Sequence, residues 1–200
     1  MAGRLLLYAM LWGSFGFGHS LLAGMAVRAR MIGWFGARER LAYNVIAGLH
    51  LLLVLAAGAL LLGGLPALPR PWPLRVAMAA AIVAGLAILL VAGRSYDLGR
   101  FSGLAQLRSG RADDPAATPE PLVTGGLNRR VRHPLYLGLL LLLWGAAGTP
   151  LTLATAACAS VYIAIGIRSE ERKLHRLYGA AYAAYCARVP ALLPRPWRYG

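Results

Sequence analysis

A histidine, a proline and a tyrosine stand where a basic segment meets an apolar run. In residues 122–138, LVTGGLNRRVRHPLYLG, His133 precedes Pro134, and Tyr136 follows within one helical turn. Because proline is tolerated in the first turn of a helix, a helix is predicted to begin at Pro134, with His133 at its entrance. Gly138 would let a neighbouring backbone or a ligand approach closely. The segment predicts a polar binding site, although each residue alone is also typical of an interfacial anchor.

Two adjacent carboxylates follow a different apolar run, in the segment RSEERKL. Glu170 and Glu171 are two of only seven acidic residues, so their position beside an apolar run is conspicuous. A carboxylate in a partly dry site attracts an ammonium or sulfonium group more strongly than it would in water. Ordinary pairing along a helix, with Lys173 or Arg176, is the simpler alternative.

Further polar residues lie inside apolar runs. His19 lies in the first run, Tyr43 begins the second, and Asn44 and His50 follow within it. Polar groups at membrane depth usually face the interior of the helix bundle and often mark function. A histidine that merely bonds a carbonyl group of a neighbouring helix is an equally good explanation.

The apolar runs that must position these residues indicate an integral membrane protein. Mean hydropathy is +0.58 and 58% of the residues are hydrophobic, more than is typical of a soluble domain. Since a crossing needs about 20 mostly apolar residues, we predict an all-α fold with five transmembrane helices in a single domain of residues 1–200. The predicted spans are 5–27, 43–65, 74–93, 134–149 and 151–167.

The charge distribution predicts the orientation. With five spans, every Lys and Arg except Arg4, Arg70 and Arg75 falls on one side of the membrane. By the positive-inside rule the N-terminus lies outside and the C-terminus in the cytoplasm. The net charge of +14 flanks the spans rather than covering a soluble face, which excludes nucleic acid as the expected partner and favours membrane lipids.

Apolar residues at helical spacing continue into the C-terminal tail and predict a cytoplasmic amphipathic helix. They are Leu174, Leu177, Tyr178, Ala181, Tyr182 and Tyr185. This helix could begin at Glu170 or extend the fifth span, and Pro190 and Pro194 would end it. The loop at 110–121 is predicted to be irregular.

Several common sites are excluded by motif. Cys158 lies in the fifth predicted span and Cys186 in the tail, so neither a disulfide nor a metal site is expected. No dinucleotide fingerprint follows a strand, and neither a phosphate-binding P-loop nor an H-E-x-x-H zinc motif occurs.

The polar segments together resemble a known group of enzymes. LVTGGLNRRVRHPLYLG and EERKLHRLYGAAYAAYCARVPALLP resemble the C-terminal half of the membrane-embedded isoprenylcysteine carboxyl methyltransferases and phospholipid methyltransferases, which use S-adenosylmethionine. The likeness covers roughly residues 120–194. Nearer the N-terminus, GHSLLAG, RLAYNVIAGLHLLL and SYDLGRFSGLAQL resemble bacterial methanethiol S-methyltransferases of the same superfamily.

The resemblance implies an S-adenosylmethionine site roofed by the C-terminal helix. The implied cofactor contacts are Leu122, Val123, Asn128, His133, Pro134, Leu135, Tyr136 and Glu170. Asn128 departs from an aromatic residue in the prenylcysteine enzymes. Gly166 stands where those enzymes have a carboxylate-binding arginine, and the nearest arginine is Arg168. These departures favour a small uncharged acceptor.

The expected function is therefore methyl transfer to a small thiol such as methanethiol, in a bacterial inner membrane. His19 and His50 are the candidate bases, and Tyr43, Asn44 and Arg168 the candidate substrate-binding residues. Three alternatives stay open. The acceptor could be a phospholipid amine or a prenylcysteine carboxylate. The protein could instead be an NADPH-dependent membrane reductase, since sterol reductases have a similar His-Pro-x-Tyr stretch, or a non-catalytic membrane protein.

Overall fold

The computed structural model describes residues 1–94, 97–112 and 121–193, and every regular element in these ranges is helical. The all-α prediction is therefore confirmed. The α-helices are α1 (Ala2–Leu22), α2 (Met25–Phe35), α3 (Glu39–Leu62), α4 (Trp72–Gly93), α5 (Leu98–Ser102), α6 (Leu104–Ser109), α7 (Pro134–Gly145) and α8 (Pro150–Arg188). Short 3-10 turns cover Gly36–Arg38 and Gly126–Arg129. Most of the loop predicted to be irregular, and Pro194, lie outside the described residues.

Long apolar helices confirm a protein suited to a membrane. Four helical stretches are long and apolar enough to cross: Ala2–Leu22, Met25–Leu62, Trp72–Gly93 and Pro150–Arg188. Only 11–28% of the residues in their apolar windows are buried. Such a large exposed apolar surface is suited to a lipid environment.

The predicted fourth span is short in the structure. α7 has 12 residues, or about 18 Å of helix, against a hydrocarbon core of about 30 Å. The first span is also shorter than predicted, because α1 ends at Leu22 and a new helix begins at Met25. The count of five spans and the orientation stay predictions.

Contacts divide the chain into two compact units. The first unit contains α1, α2, α3, α5, α6 and the segment Thr149–Ala154, which includes the first turn of α8. In it α1 and α3 run antiparallel. Tyr8 packs on Gly58, where a Cβ atom would lie 2.4 Å from the tyrosine ring, and His19 bonds Tyr43 at the other end of the same pair of helices.

The second unit contains α4, α7 and the remainder of α8. α4 and α7 are antiparallel and approach closely at glycines. A Cβ atom on Gly138 would lie 3.0 Å from the carbonyl oxygen of Gly85, and one on Gly145 would lie 2.7 Å from the carbonyl oxygen of Met78. The close backbone approach predicted at Gly138 is thus confirmed, as small residues permit in lipid-exposed helix pairs.

α8 continues past its apolar part, residues 151–167, without a break at the two glutamates. Its 39 residues run through Glu170 and Glu171, so the polar segment extends the apolar helix rather than beginning a new one. The backbone leaves helical geometry only at Gly179, with φ 52° and ψ −124°. Beyond this point Tyr182, Tyr185 and Val189 form a buried cluster. Part of the predicted apolar stripe therefore packs against protein, and its placement on a membrane surface stays a prediction.

Candidate functional site

The basic segment before α7 is hydrogen-bonded to the residues that directly follow α8. The backbone N–H of Arg132 donates to the carbonyl oxygen of Pro190 at 2.9 Å, and that of His133 donates to Ala191 at 3.0 Å. Pro134 follows as the first residue of α7, as predicted, with His133 at the N-cap position. These bonds bring the start of α7 to the end of α8.

Arg132 links three parts of this site. Its Nε donates to Oε1 of Glu171 at 2.8 Å, and its Nη2 bonds the same oxygen. Its Nη1 donates to the carbonyl oxygens of Val189 at 2.6 Å and Cys186 at 3.4 Å. A guanidinium at the C-terminal carbonyls of a helix also stabilises the negative end of the helix dipole. Arg132 is therefore an anchor between loop and helix.

His133 lies between the two carboxylates. Its Nε2 is 3.2 Å from Oε1 of Glu171, and its Nδ1 is 3.7 Å from Oε2 of Glu170. The residue is buried, and its ring lies 5.6 Å from that of Tyr136, centroid to centroid, at 34°. Because a carboxylate can only accept, Nε2 carries a proton and donates to Glu171.

The charged groups of this cluster stabilise each other's ionised forms. Burial alone would raise the pKa of Glu171, but hydrogen bonds from Arg132 and His133 outweigh it and lower that pKa below its ordinary value of 4.5. Burial would likewise lower the pKa of Arg132, and the bonded Glu171 reverses this and raises it. Glu171 is thus ionised at neutral pH.

A buried phenol lies beside these groups. Tyr182 is 1% exposed, and its hydroxyl has no hydrogen-bond partner of good geometry among the described residues. Burial, followed by the charge of Glu171 and the thiol of Cys186, raises the pKa of Tyr182. It is therefore a neutral donor next to the cluster.

The remaining predicted cofactor residues have mainly local contacts. The hydroxyl of Tyr185 donates to the carbonyl oxygen of Asn128 at 2.6 Å, and Nδ2 of Asn128 donates to the carbonyl oxygen of Val123 at 3.4 Å. Leu122 packs on the tyrosine cluster. Leu135, in the first turn of α7, is half-buried. The Asn128 side chain therefore forms a hydrogen bond within the loop that carries it.

The resemblance implies a cofactor contact for Glu170, whereas the ion pair with Arg132 is formed by the neighbouring Glu171. Glu171, with a side chain 22% exposed, forms the ion pair, whereas Glu170 is 45% exposed. For Arg132, next to the predicted start of a span, the sequence favours no more than an interfacial anchor. The signal that could have found the pair is the scarcity of acidic residues near a membrane, since a buried cation there needs a partner.

The predicted base and substrate residues belong to the first unit, except Arg168. Oη of Tyr43 and Nε2 of His19 are 2.6 Å apart, and Nε2 of His50 is 3.2 Å from Oγ of Ser14. The ring of Phe15 contacts both imidazoles, at 5.6 and 5.7 Å between centroids.

Asn44 and Arg168 have different surroundings. Asn44 donates to the carbonyl oxygens of Phe101 and Ser102, at 3.0 and 3.1 Å, and so fastens α5 to α3. Arg168 is exposed, and its carbonyl oxygen accepts from Arg172 at 3.2 Å. In the described ranges, no group of three or more His, Cys, Asp or Glu side chains could hold a metal ion.

Fold and site define a class: a helical membrane protein with a part-buried cluster of imidazole, guanidinium and carboxylates at the polar end of an apolar helix. Its relatives are methyltransferases by name. The chain is 43% identical over 83 residues to Methanethiol S-methyltransferase 1 of Bradyrhizobium diazoefficiens. It is 36% identical over 81 residues to Methanethiol S-methyltransferase of Crocosphaera subtropica, and 36% over 69 residues to that of Pseudomonas deceptionensis.

The matches are partial in both directions. They cover 41%, 38% and 34% of this chain and 28%, 31% and 26% of the three relatives, respectively, so the aligned chain spans less than a third of each relative's length. No protein-family model matches the chain, and no solved structure does. The predicted resemblance to bacterial methanethiol S-methyltransferases is confirmed.

Proposed function

We propose that this protein is a membrane methyltransferase that transfers a methyl group from S-adenosylmethionine to a small thiol. The observation that carries the proposal is the polar cluster of His133, Glu170 and Glu171 in a chain similar to methanethiol S-methyltransferases. The cluster supplies both a half-exposed carboxylate and donors, which a zwitterionic sulfonium cofactor needs.

The residues present fit such a cofactor, and the two glutamates would have different roles. The carboxylate of Glu171 is already bonded by Arg132 and His133, so it serves to fix the imidazole. Glu170, with one more distant contact to His133, keeps lone pairs for the amino group of the cofactor. The hydroxyl of Tyr182, buried and a donor, is suited to a carboxylate or ribose oxygen.

Methyl transfer requires little covalent participation from the protein. When bound, S-adenosylmethionine would supply an electrophilic methyl group on sulfur, and a thioether would leave. The chain's own contribution is to align the reactants and exclude water. The rigid connection of Arg132 to Glu171 and to the end of α8 supplies this preorganisation.

A thiol acceptor must first lose its proton, because the thiolate is the nucleophile. His50 suits this role better than His19. The single hydroxyl hydrogen of Ser14 is donated to the carbonyl oxygen of Leu11 at 2.7 Å, so Nε2 of His50 must donate to Ser14. Nδ1 of His50 then carries the lone pair that accepts a proton. Nε2 of His19 is engaged by Tyr43 at 2.6 Å.

Calorimetric titration of the purified protein with S-adenosylhomocysteine tests the cofactor site. We expect micromolar binding that is lost in His133→Ala and weakened at least about tenfold in Glu170→Gln, because a charge-assisted hydrogen bond contributes about 1.5–3 kcal/mol. Arg172→Gln, on a different face of α8, is the matched control and should bind normally. A well-folded wild type that does not bind would reject the proposal, and NADPH would then be titrated.

The acceptor is tested separately by product formation. With methanethiol and S-adenosylmethionine we expect dimethyl sulfide, with His50→Gln reducing turnover by about 10²-fold or more, as for loss of a general base. His19→Gln should reduce it less. The protein could bind the cofactor and methylate a phospholipid amine or a prenylcysteine but not methanethiol. That result would support a methyltransferase and contradict the proposed thiol acceptor.

A further inference from the structure

A separate apolar cavity lies beside the first turn of α7. Its volume is about 260 Å³. The side chains that line it are Ile88, Leu127, Arg130, Val131, Pro134 and Leu137. All of them belong to the second unit.

The cavity and the polar cluster use different residues of the short segment 131–134. Val131 and Pro134 line the cavity, whereas Arg132 and His133 bond Glu171 and the residues at and just after the end of α8. None of the six lining side chains belongs to the polar cluster, although Pro134 is also one of the cofactor contacts that the resemblance implies. The cavity is thus a second feature of this region.

The lining of the cavity combines one guanidinium with apolar side chains, as a phospholipid combines a phosphate with acyl chains. Arg130 stands where the basic segment precedes α7, next to the exposed Arg129. Leu137 lies one helical turn beyond Pro134, about 4.5 Å further along α7. The basic lining residue thus comes before the start of α7 at Pro134, and Leu137 lies within the apolar helix. Basic pockets beside membrane helices bind anionic lipid headgroups.

We propose that this cavity binds an acyl chain of an anionic phospholipid, with Arg130 at its phosphate. Net charge of +14 makes the choice of an anionic rather than a zwitterionic lipid electrostatically favourable. A one-carbon thiol would leave most of the volume empty. Moreover, the six described lining side chains include no base to take a thiol's proton. A lipid is therefore favoured over the methyl acceptor.

Native mass spectrometry of the detergent-purified full chain tests the proposal, with phosphatidylglycerol and phosphatidylcholine of identical acyl chains as probes. We expect phosphatidylglycerol to be retained at lower concentration. Arg130→Gln should weaken its apparent affinity about fivefold, which corresponds to about 1 kcal/mol per basic residue near a lipid surface. Arg108→Gln, an exposed arginine of α6, is the control and should change little. This readout needs no methyl transfer.

Leu137→Trp tests the apolar part by filling the cavity, and it should weaken binding of both lipids. If that variant does not fold, the comparison of Arg130→Gln with Arg108→Gln still tests the proposal. Equal retention of the two wild-type lipids, or equal effects of Arg130→Gln and Arg108→Gln, would overturn the proposal. Displacement of bound lipid by butanethiol, with no preference for the anionic headgroup, would instead identify the cavity as an acceptor site and overturn it as well.

Discussion

Removal of Arg132 should destabilise the second unit more than removal of any neighbouring exposed arginine. Its guanidinium bonds Glu171 through two nitrogens and the carbonyl oxygens of Cys186 and Val189 through a third. Breaking a fully buried ion pair costs about 3–5 kcal/mol. Here the side chains of Arg132 and Glu171 are 11% and 22% exposed. We therefore expect Arg132→Met to lower the free energy of unfolding by about 2–3 kcal/mol.

A double-mutant cycle isolates the pair. Arg132→Met, Glu171→Gln and the double variant would be unfolded in mixed micelles by increasing dodecyl sulfate, with helix content followed by circular dichroism. The expected coupling energy is about 2 kcal/mol, since two charge-assisted bonds are lost together. A control cycle of Arg172→Met with Glu171→Gln should give a coupling near zero, because Arg172 bonds the carbonyl of Arg168 instead.

The same pair predicts a pH dependence. The pKa of Glu171 is lowered in the folded protein, so the carboxylate contributes its full stabilisation above about pH 4.5 and loses it as pH falls through the folded pKa. Wild type should therefore lose free energy of unfolding below pH 4.5, while Glu171→Gln lacks this contribution. A coupling energy under about 0.5 kcal/mol, or equal acid sensitivity of wild type and Glu171→Gln, would refute the reasoning.

Three further substitutions test the packing. Gly179→Ala should destabilise α8 by about 1–3 kcal/mol because φ is 52° there, whereas Gly166→Ala, helical and with open space around it, should be neutral or stabilising in the same dodecyl sulfate titration. Gly85→Val should lower the free energy of unfolding by about 1–3 kcal/mol, because the new side chain clashes with the α7 backbone. Gly93→Ala, on the same helix and with open space around it, is the control. Equal effects of the two substitutions would contradict the close approach of α4 and α7. Tyr185→Phe removes a 2.6 Å hydrogen bond to a loop carbonyl and should cost about 1–2 kcal/mol, with a change below 0.5 kcal/mol arguing that water replaces it.

Features that depend on nearby residues were predictable from sequence. The apolar helices could be predicted from the length of each apolar run. A run of about 20 apolar residues is long enough to cross a bilayer, and its length and composition can be read directly from the sequence. Pro134 begins α7 because its ring forbids a preceding helical turn. The close approach at Gly138 was predicted from its missing side chain, although its partner Gly85 was not.

The choice between the two glutamates was not predictable. Consecutive residues on a helix point about 100° apart, so the rotation of α8 about its axis determines which carboxylate meets Arg132. The packing around that part of α8 involves distant contacts: Leu174 and Tyr178 lie against the buried cluster of Tyr182, Tyr185 and Val189, which follows the break at Gly179.

The sequence by itself thus determined an all-helical membrane protein, the start of α7 at Pro134 and a polar site around His133, since each depends on composition or on one helical turn. Only the tertiary structure decided that Arg132 pairs with Glu171, 39 positions away, and with the carbonyl of Val189, 57 positions away. The physical reason is that contacts over such separations depend on how helices pack and rotate. Local propensity carries no information about either.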